Sequence, residues 1–259
     1  MAWSDFFKSS GGHSAYKPDP LMWPNFPLWS AGKDNVQATV RGKLHPQWVV
    51  PCGELVMPTG DLVACDPFAA MRAKDNAYIR VPKGKHAVSV TLVDLSPQQD
   101  RSHIREAYAS IHFRKEDEAY RKAIPLATDD KHRSEPVEDN FQGFFVDAGT
   151  ACFVDAWSVA HGMPEESLWY EKVFENNEPE CWFNRMDDPN HIRAGIANIT
   201  LPLSKNGENL ILFHSGWGDG TYPVVGSFDS RGNLLSAHID FFVVSPAPDD
   251  PELKADVSS

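Results

Sequence analysis

Three segments of the chain set carboxylates and glycines inside otherwise apolar runs. They are Gly60–Phe68 (GDLVACDPF), Val146–Asp155 (VDAGTACFVD) and His214–Pro223 (HSGWGDGTYP), the last followed downstream by His238-Ile239-Asp240-Phe241. Burying a carboxylate among apolar strand residues is costly unless something pairs with it. One pairing would be a cation: if strand ends bring Asp66, Asp147 and Asp219 or Asp240 together, they make an oxygen-rich site for Mg²⁺ or Ca²⁺. Such a site could activate a water for hydrolysis. The other pairing is the backbone itself. Asp accepts N–H groups in turns and caps, Gly supplies positive φ, and Gly218-Asp219-Gly220 is what a tight hairpin or bulge would select. Turn chemistry is the commoner use of isolated Asp-Gly segments, and nothing here has the alternating acids of an EF-hand loop. The aspartates are therefore expected to brace bends, with no metal and no cofactor.

Nucleophilic chemistry finds little support. Ser215 has Phe213 two residues before it and fails the G-x-S-x-G elbow. Cys152 lies between Ala151 and Phe153, where burial would raise its pKa and blunt its reactivity. The ten histidines show no H-E-x-x-H or His-x-His spacing, and no P-loop or dinucleotide fingerprint occurs. No catalytic residue is expected. The positions that remain as partner- or ligand-binding candidates are Asp66, Asp147, Thr150, His214, Trp217, Asp219, Tyr222 and Asp240. Trp217 and Tyr222 flank the glycine-rich turn and could form a flat platform for a carbohydrate or peptide, with at least one of them expected in the core instead.

The elements that must position these residues read mostly as short strands. GELVM, a PTG turn and DLVACDPF make a first hairpin candidate. In AYIRVPKGKHAVSVTLVDL, Val88, Val90 and Leu92 alternate with Ser89 and Thr91, as a half-buried strand should, with PKGK as the turn. AYASIHF puts Ala107, Ala109, Ile111 and Phe113 on one face and Tyr108, Ser110 and His112 on the other. Arg114 to Asn140 is charged and irregular, a solvated loop with room for one short helix. QGFFVDAGTACFVDA returns to a buried strand. Pro164 followed by Glu165 and Glu166 has the signature of a helix start, with Leu168, Trp169, Val173 and Phe174 at helical spacing. ENNEPECWFNRMDDPNH then reads as a loop. The C-terminal third is all strand, with KNGEN, GDG and SRGN as its hairpin turns. The class is mainly β: an antiparallel β-sandwich or strongly curled sheet with hairpin connections and one or two amphipathic helices inserted. Residues 1–50, holding four tryptophans among prolines, read as an arm packed on the body; residues 51–245 form one β-rich domain; 246–259 read as an acidic disordered tail.

Charge narrows the class of partner. The 24 Lys and Arg against 36 Asp and Glu give a net charge of −12, which excludes a strongly basic nucleic-acid-binding domain. The acidity lies outside the first 60 residues, since the remainder carries 19 basic against 32 acidic side chains. No apolar run approaches a membrane span, and the first residues, MAWSDFFKSSGGH, lack the pattern of a secretory signal. The four cysteines, Cys52, Cys65, Cys152 and Cys181, have no zinc-knuckle spacing and read as small buried residues in a reducing compartment. A cytoplasmic location is expected.

Taken together and in order, G-D-L-V-A-C-D-P-F, V-D-A-G-T-A-C-F-V-D-A, S-G-W-G-D-G-T-Y-P, a D-S-R-G-N turn and H-I-D-F-F resemble the bacterial domain-of-unknown-function family number 4241. The resemblance spans roughly Glu54 to Val244 and implies a cytoplasmic bacterial β-rich domain, with no established activity to carry across. It also singles out Asp66, Asp147, Gly149, Trp217, Gly218, Asp219, Gly220, Tyr222 and Asp240 for inspection. With an acidic body and no catalytic set, the expected function is a protein-binding module. The expected partner is a basic protein such as a toxin domain, the chain acting as an immunity protein in interbacterial competition. The alternative is a metal-assisted hydrolase built on the aspartates.

Overall fold

The computed structural model describes residues 30–71, 78–124, 143–176 and 178–245. Among the described residues thirteen strands form two sheets, every pairing antiparallel. The strands are β1 (Val36–Val40), β2 (Lys43–Met57), β3 (Asp61–Cys65), β4 (Tyr78–Arg80), β5 (Gly84–Asp94), β6 (Ile104–His112), β7 (Tyr120–Ala123), β8 (Gly143–Val146), β9 (Thr150–Asp155), β10 (Ile196–Thr200), β11 (Asn209–His214), β12 (Gly220–Phe228) and β13 (Leu234–Asp240). The larger sheet runs β1-β2-β5-β6-β13-β12-β7, with β8 paired to the first half of β12, and the smaller runs β10-β11-β9-β3-β4. The larger sheet is strongly curled, with bulges at Cys52 in β2, at Ala107 in β6 opposite Thr91/Leu92, and at Leu235 in β13 opposite Ser227/Phe228. Each bulge adds local twist and bend.

The smaller sheet is the middle of three layers, and its sequence shows why. Leu62, Ala64, Ala151, Phe153, Ile211 and Phe213 face the curled sheet, meeting Val88, Val90, Leu92, Ala107, Ala109, Ile111 and Ile239. The intervening residues Val63, Cys65, Cys152, Val154, Leu210 and Leu212 face a helical cover holding Val159, Phe174, Trp182 and Met186. Strands apolar on both faces can only be satisfied between two layers. The cover contains α1 (Ala156–Gly162), a 3₁₀ turn at Glu166–Leu168, a π turn at Tyr170–Phe174 and α2 (Trp182–Asp187).

The mainly β, antiparallel reading with inserted helices agrees with this fold, whereas several local readings do not. GELVM and DLVAC belong to β2 and β3 in different sheets, so the PTG segment is an inter-sheet crossover, not a hairpin turn. The same holds for PKGK between β4 and β5, and for Gly218-Asp219-Gly220 between β11 and β12. QGFFVDAGTACFVDA is two strands, β8 and β9, one in each sheet. Turn residues permit a reversal without saying which sheet the chain enters; burial on both faces sends β3, β9 and β11 to the middle layer. The KNGEN and SRGN turns do close hairpins, β10–β11 and β12–β13.

The helix expected from Pro164 is the short 3₁₀ and π pair, while the regular helices begin at Ala156 and at Trp182. α2 falls inside the segment read as a loop, its apolar Trp182 and Met186 four residues apart and buried. The Arg114–Asn140 region holds a strand, Tyr120–Ala123, in its described part. Residues 36–50, grouped with the arm by composition, form β1 and the first half of β2. Residues 30–33 lie on the curled sheet: Ser30 Oγ donates to Gln47 Oε1 (2.6 Å) and Gly32 N–H to Thr91 Oγ1 (3.1 Å). The earlier part of the arm, and the tail from 246, lie outside the described residues.

Candidate functional site

The aspartate-glycine segments meet at the crossovers between the two sheets, and they meet through backbone amides. Asp66, at the end of β3, is fully buried. Its Oδ1 accepts Phe68 N–H (2.8 Å) and Ala69 N–H (3.1 Å), and its Oδ2 accepts Asp147 N–H (2.9 Å) and Ala148 N–H (2.7 Å). One carboxylate thus fixes its own turn and the β8–β9 crossover. Burial raises its pKa, and the four amides oppose that rise. Asp219 Oδ1 accepts Gly149 N–H (3.0 Å), and Ser215 N–H donates to Gly149 O (3.1 Å), which ties the β8–β9 crossover to the β11–β12 crossover. Within the latter, Gly218 O accepts both Ser215 Oγ–H (2.7 Å) and Tyr222 O–H (2.8 Å). Gly216 has φ +63°, and a Cβ there would sit 2.7 Å from Glu106 O. Glycine is required on both counts.

The candidate residues divide accordingly. Asp66, Asp147 and Asp219 share one corner, but Asp147 contributes its N–H while its side chain faces solvent. Thr150 is buried and pairs across the ladder with His214, whose side chain is exposed. One edge of the ring packs against Gly195, and this partial desolvation, with the nearby guanidinium of Arg193, lowers the His214 pKa. Tyr222 is buried, its pKa pushed up to about 12 by burial, while Trp217 is 38% exposed, so the two do not form one platform. Asp240 lies on β13, buried, with Oδ1 accepting Phe242 N–H (2.8 Å) and a pKa pushed up to about 7 by burial. Among the described residues no three His, Cys, Asp or Glu side chains are grouped to hold a metal ion. The oxygens of Asp66 that a hydrolase would need for a cation are occupied by amides.

The model of the family "protein of unknown function (DUF4241)" matches residues 55–238, well over half of the 259. The chain belongs to the DUF4241 family. No curated protein and no solved structure matches it. Within the DUF4241 domain, the segments Gly60–Phe68, Val146–Asp155 and His214–Pro223 run through the corner where strands pass between sheets.

Sequence reasoning missed two further features of this DUF4241 protein. The first is a second set of bracing acids. Asp155 Oδ2 accepts Thr59 N–H (3.1 Å), Thr59 Oγ–H (2.9 Å) and Gly60 N–H (3.1 Å), while its Oδ1 caps α1 at Ser158 N–H (3.2 Å). Glu208 holds the β10–β11 turn through Ser204 Oγ–H (2.6 Å) and the amides of Lys205 and Asn206, and these bonds lower its pKa. To these acids the curled sheet adds a buried polar row. His238 Nδ1 meets Ser110 Oγ at 2.7 Å and its Nε2 meets Ser236 Oγ at 2.7 Å, and burial drops its pKa to about 3. The alternation that sets Tyr108, Ser110 and His112 on one face is the available signal, and it does not say that this face is covered; Tyr108 and Ser110 are fully buried.

The second feature is the surface of the helical cover. Between Ala156 and His191 the chain carries eight acids, Glu165, Glu166, Glu171, Glu175, Glu178, Glu180, Asp187 and Asp188, against Lys172 and Arg185. All but Asp188 are exposed. Trp157 (39%), Leu168 (41%) and Tyr170 (40%) are exposed among them. A cavity of about 140 Å³ opens beside Trp169 and Tyr170, floored by Phe68, Met71 and Phe174.

Proposed function

We propose that this chain is an acidic protein-binding module that captures a basic protein through its helical cover, and that the partner is a toxin domain of an interbacterial competition system. The observation that carries the reading is the coincidence, within the Ala156–His191 cover, of an eight-to-two excess of acids with exposed Trp157, Leu168 and Tyr170. A surface of net negative charge speeds encounter with a cationic partner, and large apolar and aromatic side chains supply the contact area that slows departure. A toxin that acts on nucleic acid must present a cationic surface, and an anionic cover of this kind competes for it. The crossover aspartates support the reading indirectly, because their use as braces leaves the corner without a free carboxylate set. A cytoplasmic site of action suits the free thiols of Cys52, Cys65, Cys152 and Cys181. Among the described residues no helix is long and apolar enough to cross a membrane.

The test is parallel affinity capture from a bacterial lysate on the wild-type chain and on a variant with Glu165, Glu166, Glu171 and Glu175 changed to Gln. The reading expects a basic protein retained by the first and lost from the second, encoded next to this chain. Retention of no basic protein, or equal retention by both, would overturn it.

A further inference from the structure

We propose that Arg41 and Arg105, held against Trp217, form a binding site for a phosphate-type oxyanion. The site is independent of the acidic cover and lies where the β1–β2 turn and the start of β6 meet the β11–β12 crossover. The Arg41 guanidinium carbon is 4.8 Å and that of Arg105 5.6 Å from the centroid of the Trp217 ring. Two cations share one indole in a protein whose net charge is −12. The ion pairs of the described residues, Arg80–Asp61, Arg121–Glu118, Arg185–Glu180 and Arg193–Glu106, include neither of them. The nearby acids make their direct bonds elsewhere: Glu106 is buried and paired with Arg193 (3.1 Å), feeling Arg105 only through space, and Asp219 takes the Gly149 N–H.

The arrangement is held from below. Trp217 Nε1–H donates to Phe242 O (3.1 Å), which fixes the ring. Arg105 donates through Nη1 to Gly216 O (3.1 Å) and through Nε to His103 Nε2 (3.2 Å), leaving its remaining N–H groups for a ligand. The Arg41 N–H donates to Ser245 Oγ (3.0 Å) and anchors the turn, while its side chain is exposed. The rest of the Ser215–Tyr222 segment is accounted for by packing and internal hydrogen bonds. Trp217 alone keeps a large ring at the surface, 38% exposed. Cation–π contact offsets part of the repulsion between the two guanidiniums, and an oxyanion between them removes the rest. A phosphate group fits better than a carboxylate because it carries up to two charges and three or more acceptor oxygens, matching two planar forks of donors.

The experiment is an NMR titration of the full chain with sodium phosphate at constant ionic strength, reading the Trp217 indole N–H and the Arg105 Nε–H. The expected result is saturable shifts at both, weakened roughly fivefold or more in Arg41→Gln, an exposed change that leaves the packing intact. A parallel titration with a phosphoserine peptide gives the source of the anion: tighter binding than inorganic phosphate points to a modified protein, equal binding to a free anion. Shifts that never saturate, that sodium chloride reproduces, or that Arg41→Gln leaves unchanged would overturn the site. Failure here leaves the acidic cover untouched, because the variant with four glutamates changed to Gln is expected to bind phosphate normally.

Discussion

Asp66 and Asp147 meet carboxylate to amide, with Asp66 Oδ2 accepting the Asp147 N–H at 2.9 Å, rather than as two carboxylates around an ion. That relationship makes the corner a structural joint between two sheets. Replacing Asp66 by Asn keeps the shape but leaves one oxygen for four part-buried N–H donors. The expected loss is about 2 kcal/mol, since charge-assisted bonds are removed and part-buried donors lose their acceptor. Urea unfolding should show a lower midpoint at unchanged slope; a midpoint equal to wild type would contradict the bracing role.

The buried carboxyl of Asp240 gives a pH signature of definite sign. Its folded pKa, about 7, lies above the unfolded value of roughly 3.9, so the fold binds this proton more tightly than the unfolded chain. The wild type therefore gains stability from this group as pH falls from about 7 toward 4, at roughly 1.4 kcal/mol per unit. Asp240→Asn lacks that gain and should be the more stable protein at pH 8, the advantage shrinking as pH falls. Parallel stability curves for the two proteins, by denaturant titration at several pH values, would count against it.

His238 carries the opposite sign. Held neutral among serine hydroxyls, with a pKa near 3 against an unfolded value near 6.5, it costs the fold stability as pH drops through that window. Ring ¹⁵N shifts at pH 5 should show a neutral imidazole for His238. A protonated ring at that pH would place the side chain in contact with solvent.

The thiols should be silent. Cys65 Sγ and Cys152 Sγ lie 3.7 Å apart, buried between the middle sheet and its helical cover, and the contact with Cys152, reinforced by burial, raises the Cys65 pKa; Cys52 is pushed up to about 12 by burial. A chromogenic disulfide reagent at pH 8 should find almost no fast-reacting thiol in the folded protein and four after denaturation. Rapid reaction of Cys65 or Cys152 in the native state would contradict the packing.

Much of this fold is legible in the residues. The alternation of Val88, Val90 and Leu92, and the KNGEN and SRGN turns, give β5 and two hairpins directly. The role of Asp66 as a brace also follows from the cost of burying a lone carboxylate. The sheet exchanges do not follow, because Gly and Asp serve a crossover as well as a hairpin, and only the three-dimensional partner tells them apart. α2 is hidden for a related reason: Pro179, Asn184 and Pro189 around it read as breakers, while Trp182 and Met186 supply just one apolar turn. The row from Ser110 through His238 to Ser227 joins β6 to the β12–β13 hairpin far downstream in the chain, so no local spacing announces it.

The central claim separates a corner that braces from a cover that binds, and one pair of variants tests it against the basic partner obtained by capture. Stopped-flow association rates are compared for wild type, Asp219→Asn and the variant with Glu165, Glu166, Glu171 and Glu175 changed to Gln. The account predicts that the cover variant associates about tenfold or more slowly at low salt, while Asp219→Asn keeps the wild-type rate. A normal rate for the cover variant together with a slowed Asp219→Asn would contradict it.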